Sequence, residues 1–394
     1  TNEVGGYLFP TVPSGTYDIR IHKEGFASFT RRDVEVKIND VSRSDVTLQV
    51  AAVSESVEVT AQPGTLQTDR AEVRAEVTSQ QLRNLPIPPG RNYQQLFKLL
   101  PGFTPPTNRH SSSVNPSRAL SFNVNGTSNQ SNNVRIDGAS AINIYLSRVA
   151  AYVPALESIE TVDVVTNAFD AEQGLAGGAA INVQMRSGTN ELHGALFEYH
   201  DNNHTKAKPF FNPPGARNPK AVFNQYGATI GGPIKRNKLF YFTSYEGTLE
   251  RRTGATFATV PTAAIRGGDM SASPRPVYDP LTGTTDGSGR TAFAGNVVPR
   301  SRFDPIVQKL VALTPVPTFP DSLTSNYYAT APFGFDRQSV DAKVNWYASD
   351  KFNMYGRFGL FKHNIRDQQV FGDLGGPGIR TGDPRSFGYT YTTT

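Results

Sequence analysis

In the run Ser339-Val340-Asp341-Ala342-Lys343-Val344-Asn345-Trp346-Tyr347, polar and apolar residues alternate without a break. Successive side chains of a β-strand point to opposite faces, so this run predicts a strand with one apolar and one polar face. Residues 352–361 repeat the pattern after a connection of only residues 348–351. Because a connection this short joins antiparallel neighbours, the two runs predict an antiparallel pair.

Three further runs that predict strands precede this pair, at residues 191–200, 223–231 and 239–247. The connections between the five runs alternate in length, and the short ones are 232–238 and 348–351. Outer-membrane β-barrels have short periplasmic turns and long extracellular loops, and each strand needs about 9 to 11 residues to span the bilayer. We therefore expect the start of a transmembrane barrel, with residues 248–336 outside the cell. A soluble β-sandwich also alternates, but its loops need not alternate in length.

The composition favours a β-rich protein. Hydrophobic residues make up 37% of the 394 and the mean hydropathy is -0.40, while 35 Gly, 28 Pro, 16 Tyr and 24 Phe indicate many turns and aromatic-rich strands. No stretch of about 18 or more apolar residues occurs, so no membrane-spanning helix is predicted. A β-barrel stays possible, because its strands are apolar only at alternate positions.

Other function classes are disfavoured by what the sequence lacks. The net charge is +5, but Lys and Arg form no basic run interleaved with aromatic residues, so nucleic acid is not an expected partner. With no cysteine, a thiol nucleophile or thiolate metal site is excluded. His193 and His200 lie on opposite faces of one predicted strand, and we find no phosphate loop, EF-hand spacing or nucleophile elbow. We expect no enzyme activity, no cofactor and no metal site.

The N-terminal residues 6–59 contain short runs rich in Val, Ile, Phe and Tyr, among them 16–21 and 44–50, separated by Gly, Pro, Ser, Asn and Asp. This pattern is typical of a small antiparallel sandwich. Tyr7-Leu8-Phe9-Pro10-Thr11-Val12-Pro13-Ser14-Gly15-Thr16-Tyr17, followed by Gly25-Phe26, resembles the carboxypeptidase regulatory-like domain. The resemblance implies a transthyretin-like fold without peptidase activity, here missing its opening strand.

A mixed region follows. Residues 78–100 carry a helical pattern with Thr78 and Ser79 as candidate N-caps, and prolines between residues 86 and 89 divide it. Four later runs each predict a strand that ends in a turn, at residues 122–126, 133–138, 159–165 and 180–185.

This order of elements resembles the plug domain of Oar-like TonB-dependent outer-membrane receptors. The best single marker is Val134-Arg135-Ile136-Asp137-Gly138, followed in order by Gly177-Gly178-Ala179 and Arg186-Ser187-Gly188-Thr189-Asn190. Gly231-Gly232-Pro233-Ile234 and Ser244-Tyr245-Glu246-Gly247 resemble the opening of the family's barrel. The plug-motif residues that this resemblance singles out are Asn133, Arg135, Asp137 and Gly138.

Residues 55–61 resemble the TonB box of the same family, with Ser56 in place of the usual Thr. An extended segment of this kind offers unpaired backbone groups to a strand of an energy-coupling partner. A last sandwich strand followed by a linker is the alternative interpretation. The candidate box residues are Glu55, Ser56, Val57, Glu58, Val59, Thr60 and Ala61.

The predicted protein is mostly β. It has a transthyretin-like sandwich at 1–60, an α+β plug at 61–188 and the first antiparallel strands of an outer-membrane β-barrel at 189–394, incomplete at both ends. The resemblance implies plug-gated transport across the outer membrane, with the N-terminal domain and plug on the periplasmic side. Its implied partners are the TonB energy-coupling complex, outer-membrane lipid and an unknown extracellular ligand. The alternative is a non-transporting cell-surface or periplasmic β-sandwich protein that binds a ligand such as carbohydrate.

Overall fold

The computed structural model confirms a mostly β protein, with strands in four sheets. It describes residues 1–9, 12, 15–36, 42–50, 56–60, 72–105, 122–143, 146–150, 152–169, 171–174, 176–208, 218–349, 352–366, 369–375 and 385–393. No helix in these ranges is long and apolar enough to cross a membrane.

The N-terminal sheet consists of β1 (Gly15–Ile21), β2 (Ser28–Val36) and β3 (Ser56–Thr60), in that order. The first pair is antiparallel and the second is parallel. Residues 44–50, which the sequence predicts as a strand, form only an isolated bridge from Val50 to Phe26. The described residues of this region form one sheet, so the second layer of the sandwich stays a prediction.

The plug region, residues 72–185, has the α+β character that the sequence predicts. Its described elements are β4 (Val73–Thr78), α1 (Ser79–Asn84), a 3₁₀ helix (Tyr93–Leu99), β5 (Asn133–Ile136), β6 (Ala139–Ser140), β7 (Ile142–Asn143), β8 (Leu146–Ala150), a short 3₁₀ turn (Leu156–Ser158), β9 (Ile159–Asn167), a second short 3₁₀ turn (Ala171–Gln173) and β10 (Ala180–Met185). Five strands form one sheet in the order β4-β9-β10-β5-β6, and β7 pairs with β8.

Local chemistry explains where these elements begin and end. Thr78 is the N-cap of α1 and forms a reciprocal capping box with Gln81, which satisfies two free backbone N–H groups. At 122–126, where the sequence predicts a strand that ends in a turn, the turn is present at Asn125 (φ 50°) and Gly126 (φ 76°), but no strand precedes it. Only a bridge from Val124 to Phe103 remains.

The core of the plug region is apolar and deeply buried. Val162 and Val164 of β9 lie beside Val183 and Ile181 of β10 in the sheet register, and all four are at most 3% exposed. The same cluster includes Phe97, which comes from the 3₁₀ helix. Burying these side chains fixes β9 and β10 as the rigid centre of the region.

The C-terminal sheet contains all five strands that the sequence predicts and one more, joined antiparallel in chain order. Its strands are β11 (His193–Asn202), β12 (Ala221–Lys235), β13 (Leu239–Ala258), β14 (Tyr327–Ser349), β15 (Phe352–Arg366) and β16 (Arg385–Thr393). The turn between β12 and β13 is residues 236–238. Residues 259–326 form the long connection from β13 to β14 and contain α2 (Ala263–Arg266) and α3 (Pro305–Leu313).

The two faces of this sheet show the reverse of the burial found in a soluble protein. On β14, Asp341 and Lys343 are only 2% and 5% exposed, whereas Val344 and Trp346 are each 42% exposed. The polar face lies against the plug region, and the apolar face points outward. This is the arrangement of a barrel wall with lipid outside and a plugged lumen inside.

Candidate functional site

Asp137 of the predicted plug motif lies at the contact between the plug region and the barrel sheet. It has φ 48° and precedes Gly138 at φ 80°, so the chain turns sharply after β5. Aspartate tolerates this left-handed conformation better than most residues. The turn aims the carboxylate at β14 and β15, where it pairs with Lys343 at 2.9 Å and lies 3.6 Å from Arg357. These three side chains are at most 6% exposed.

Backbone groups complete the environment of Asp137. The amide of Met185, at the end of β10, donates to its carboxylate at 3.1 Å, and the hydroxyl of Tyr355 donates to its carbonyl oxygen. Lys343 also donates to the carbonyl oxygen of Met185 at 3.2 Å. One barrel lysine therefore bonds the ends of two neighbouring plug strands.

A second contact is centred on Asp341 of β14. Its carboxylate accepts hydrogen bonds from the Tyr152 hydroxyl at 2.6 Å and from Ser158 at 3.1 Å, both in the plug region. Burial, and then the charge of Asp341, raise the pKa of Tyr152 well above its usual value. The phenol therefore keeps its proton and acts as a donor.

A third contact joins Arg337 of β14 to the plug backbone. Its guanidinium donates to the carbonyl oxygen of Val153 at 3.1 Å and to Ser339 at 2.9 Å, and it lies 3.7 Å from Glu246 of β13. Arg337 and Glu246 are 3% and 1% exposed. A buried arginine with several acceptors holds its position rigidly.

The fourth contact involves the first barrel strand. Arg91 forms an ion pair with Glu157 at 2.8 Å inside the plug region, and its guanidinium stacks 3.6 Å from the ring centre of Tyr199 on β11. The Tyr199 hydroxyl in turn donates to Glu157 at 3.1 Å.

The interface carries as many acidic as basic side chains in these four contacts. The acids are Asp137, Glu157, Glu246 and Asp341, and the bases are Arg91, Arg337, Lys343 and Arg357. Buried charges of this kind are strongly held while paired and costly when separated. This geometry is suited to holding the plug region against the barrel sheet and to releasing it.

Two regions of the chain match known protein families. Residues 184–394, more than half of the chain, match the family described as outer membrane beta barrel domain. The chain belongs to this family. Residues 67–181 match the TonB-dependent receptor plug domain. The chain is also 27% identical over 263 residues to the TonB-dependent transporter Oar of Myxococcus xanthus, covering 64% of this chain and 24% of that protein. It is thus an Oar-like TonB-dependent receptor of the outer membrane, and it spans about a quarter of the length of this relative.

Solved structures show more distant likenesses. The outer-membrane transporter YddB from Escherichia coli matches with a TM-score of 0.43 and 13% identity, over 75% of this chain and 37% of that one. The siderophore receptor PirA from Acinetobacter baumannii matches with a TM-score of 0.34 and 12% identity, over 74% and 44% of the respective chains. Identities this low carry no information about the ligand of this receptor.

The four predicted plug-motif residues have different surroundings in the receptor. Asp137 lies in the interface, and a side chain added at the neighbouring Gly138 would come within 3.9 Å of the Tyr355 hydroxyl. Asn133 instead donates to the Gln173 carbonyl oxygen at 2.7 Å inside the plug, and Arg135 lies on β5 opposite Ser140 of β6. Their functional roles stay predictions.

The candidate TonB box is only partly described. Its residues 56–60 form β3, which pairs with β2, while Glu55 and Ala61 lie outside the described residues. Within the described ranges, no group of three or more His, Asp or Glu side chains is placed to hold a metal ion.

Sequence reasoning missed Tyr152 and Arg337, and it placed Asp341, Lys343 and Arg357 on polar faces without assigning them a role. The signal in the sequence that could have identified these residues was the alternation of polar and apolar residues on β14, because polar side chains inside a barrel must contact either water or a plug.

Proposed function

We propose that this receptor is a transporter that moves an extracellular ligand across the outer membrane, powered by a TonB complex and gated by its plug. The observation that carries this proposal is the closure of the inward polar face of the barrel by the plug. Three polar side chains of β14, Arg337, Asp341 and Lys343, each bond a different part of the plug region. The polar contacts hold the plug in the barrel and can be separated. This arrangement is suited to a gate that opens when force is applied to the plug.

The alternative, a non-transporting sandwich protein that binds a ligand such as carbohydrate, has less support. The polar face of a soluble sandwich meets solvent, whereas here Asp341 is 2% exposed and the apolar Trp346 is 42% exposed. No described cluster favours a carbohydrate.

The proposed domain division is 1–60, 61–188 and 189–394, with the first two on the periplasmic side. Support for the second boundary comes from the plug match ending at residue 181 and the barrel match beginning at 184. The short turn at 236–238 and the long connection at 259–326 support long loops outside and short turns inside.

Gating is tested with the full-length receptor in the outer membrane of a Gram-negative host. Removing residues 72–185 should let in a bulky antibiotic that the outer membrane normally excludes, measured as growth inhibition. The intact receptor is the control and should leave the host resistant. If the plug-deleted barrel inserts at the same level and the host stays resistant, the plug is not the gate.

Energy coupling is proposed to act through residues 55–61. β3 lies at the edge of its sheet, and among the described residues no strand pairs with its outer side. A TonB strand added there would form hydrogen bonds with the backbone of β3. Proline has no N–H group for such bonds and should abolish TonB binding, whereas a change of side chain should have a mild effect. We expect Val57→Pro and Val59→Pro to abolish cross-linking of the full-length receptor to TonB, and Glu58→Gln to preserve it.

All three variants must first insert in the membrane, because misfolding of the N-terminal sheet would imitate loss of coupling. If the inserted proline variants still cross-link normally, residues 55–61 are a strand or linker, and the box lies elsewhere in the chain.

A further inference from the structure

The segment that joins the plug to the barrel lies directly on the barrel wall. It comprises residues 186–192, between the end of β10 and the start of β11. A Cβ added at Gly188 would lie 2.2 Å from the carbonyl oxygen of Tyr241 on β13 and 2.6 Å from that of Gly232 on β12. No side chain fits at such distances, so glycine at position 188 lets the linker touch the backbone of two barrel strands.

An asparagine pair fixes the same linker to the turn between β12 and β13. The side-chain amide of Asn190 donates to the side-chain oxygen of Asn237 at 2.7 Å, and its own oxygen accepts from the backbone amide of Asn237 at 2.8 Å. Asn237 has φ 62°, a left-handed conformation that asparagine tolerates. One residue of the turn therefore engages both polar groups of Asn190. We call Gly188, Asn190 and Asn237 the linker anchor.

The linker anchor lies where two motifs of the sequence meet. Arg186-Ser187-Gly188-Thr189-Asn190 and Gly231-Gly232-Pro233-Ile234 are distant in the chain. In the structure, a Cβ added at Gly231 would lie 3.6 Å from the Cα of Gly188. A Cβ added at Gly232 would lie 3.2 Å from the side chain of Leu192. A larger side chain at either barrel position would therefore press on the linker.

The linker anchor shortens the free length of chain between plug and barrel. Met185 ends β10, three residues before Gly188 and eight residues before His193, the first residue of β11. A fully extended chain spans about 3.4 Å per residue, so this free length is about 10 Å with the anchor in place and about 27 Å without it. The hydrocarbon core of a bilayer is about 30 Å thick. Without the anchor, β10 could therefore move most of the way across the membrane while still joined to the barrel.

The pull on the plug is proposed to enter at its other end. Residues 55–61 precede β4, the first strand of the plug, whereas the linker follows β10, the last one. β10 is also bonded to the wall, because Lys343 of β14 donates to the Met185 carbonyl oxygen at 3.2 Å. We propose that the linker anchor holds β10 on the barrel wall while TonB displaces β4, so that the plug opens without leaving the barrel. This proposal rests on the proposed function for the pull by TonB.

The test follows β4 and β10 separately, in full-length receptor in the outer membrane of a Gram-negative host. No cysteine occurs among the 394 residues, and any cysteine elsewhere in the full-length receptor is first replaced by serine. Val77→Cys in β4 and Val183→Cys in β10 then each introduce a single reporter thiol. Both valines are at most 7% exposed, so a small water-soluble maleimide should label the thiols only when their strand moves. Labelling rates are compared in hosts with and without TonB.

The linker anchor is released by Asn190→Ala combined with Asn237→Gly, because glycine keeps the left-handed turn while both hydrogen bonds are lost. The matched control is Thr189→Ala, which removes a hydroxyl that bonds Glu191 within the linker. We expect TonB to speed labelling at position 77 in every receptor. Position 183 should stay protected in the intact receptor and the control. In the double variant, TonB should speed labelling at position 183 by at least about tenfold, because two hydrogen bonds are lost.

Protection of position 183 in the double variant, with TonB-dependent labelling at position 77, overturns the linker anchor and leaves the proposed function intact. Labelling of position 183 in the intact receptor also overturns it, since β10 would then move with the anchor in place. Equal labelling of the double variant without TonB does so too, because the contact would only stabilise the resting plug. No TonB-dependent labelling at either position refutes the proposed pull and the anchor with it.

Folding of each variant is established by its insertion in the membrane and its heat-modifiable gel mobility. If the double variant does not insert, Asn190→Ala alone replaces it, since this change leaves the turn between β12 and β13 unaltered.

Discussion

Replacing Asp137 by Asn should loosen the plug inside the barrel. Asn tolerates the left-handed φ of 48° and keeps an oxygen for the Met185 amide, so the turn itself is preserved. The change removes the carboxylate that neutralises Lys343 and lies beside Arg357, both at most 6% exposed. Removing one partner of a buried ion pair typically costs about 3–5 kcal/mol.

The partner change Lys343→Met should cost less, because Asp137 keeps Arg357 at 3.6 Å. Combining the two changes restores the net charge of the cluster. The double variant should therefore be more stable than the sum of the single losses by about 2 kcal/mol, which lies within the range for directly contacting residues.

Native-state hydrogen exchange on the full-length receptor measures these losses as the opening free energies of amides in β5 and β10. Amides of the long connection at 259–326 serve as an internal control and should not change. If the losses from Asp137→Asn and Lys343→Met add to within about 0.5 kcal/mol, the ion pair is not what holds this corner of the plug.

Three further predictions follow from local contacts. Thr78→Ala removes the capping box of α1 and should lower the opening free energy of the α1 amides by about 1 kcal/mol, measured by hydrogen exchange. The same change at Thr104, which caps none of the described helices, should leave the α1 amides unaltered. Arg266→Gln removes four hydrogen bonds to backbone carbonyl oxygens and should speed proteolysis within residues 259–326, while Arg275→Gln should not. Hydrogen bonds from Thr284 and Ser288 lower the pKa of Asp286 to about 2. Their stabilisation of the turn is therefore complete above the ordinary aspartate pKa and is lost as the pH falls towards 2. An NMR titration that gives an ordinary aspartate pKa for Asp286 would contradict this.

The alternation of β14 predicted both faces of the barrel wall, because a period of two is readable from one strand alone. The ends of the strands were not readable in the same way. β14 begins at Tyr327, ten residues before Arg337, the first residue after the connection predicted at 248–336. Pro332 and Gly334 interrupt the alternation there, although the pairing with β13 continues through them. Pairing with a neighbour overrode the local pattern.

For a related reason, only the barrel side of the interface between plug and barrel was predictable from the sequence. The polar face of β14 was visible in the sequence, but its partners Tyr152 and Asp137 lie 189 and 206 residues away from the residues they bond, and no periodicity links them. The resemblance to a plug named Asp137 without indicating what it touches. Residues 44–50 show the opposite error, because a β-like composition did not produce a strand without a neighbour to pair with along its length.

The polar character of the contact between plug and barrel also determines how it should break. Hydrogen bonds such as those of Tyr152 and Arg337 lose most of their strength when they are stretched by about 1 Å. An apolar contact differs, because its resistance to separation is spread over the whole buried area. The contact between plug and barrel should therefore resist thermal motion, yet break when the plug is displaced by a short distance. Water can then solvate the exposed charges, so the same surface is able to reseal without sticking to unrelated proteins.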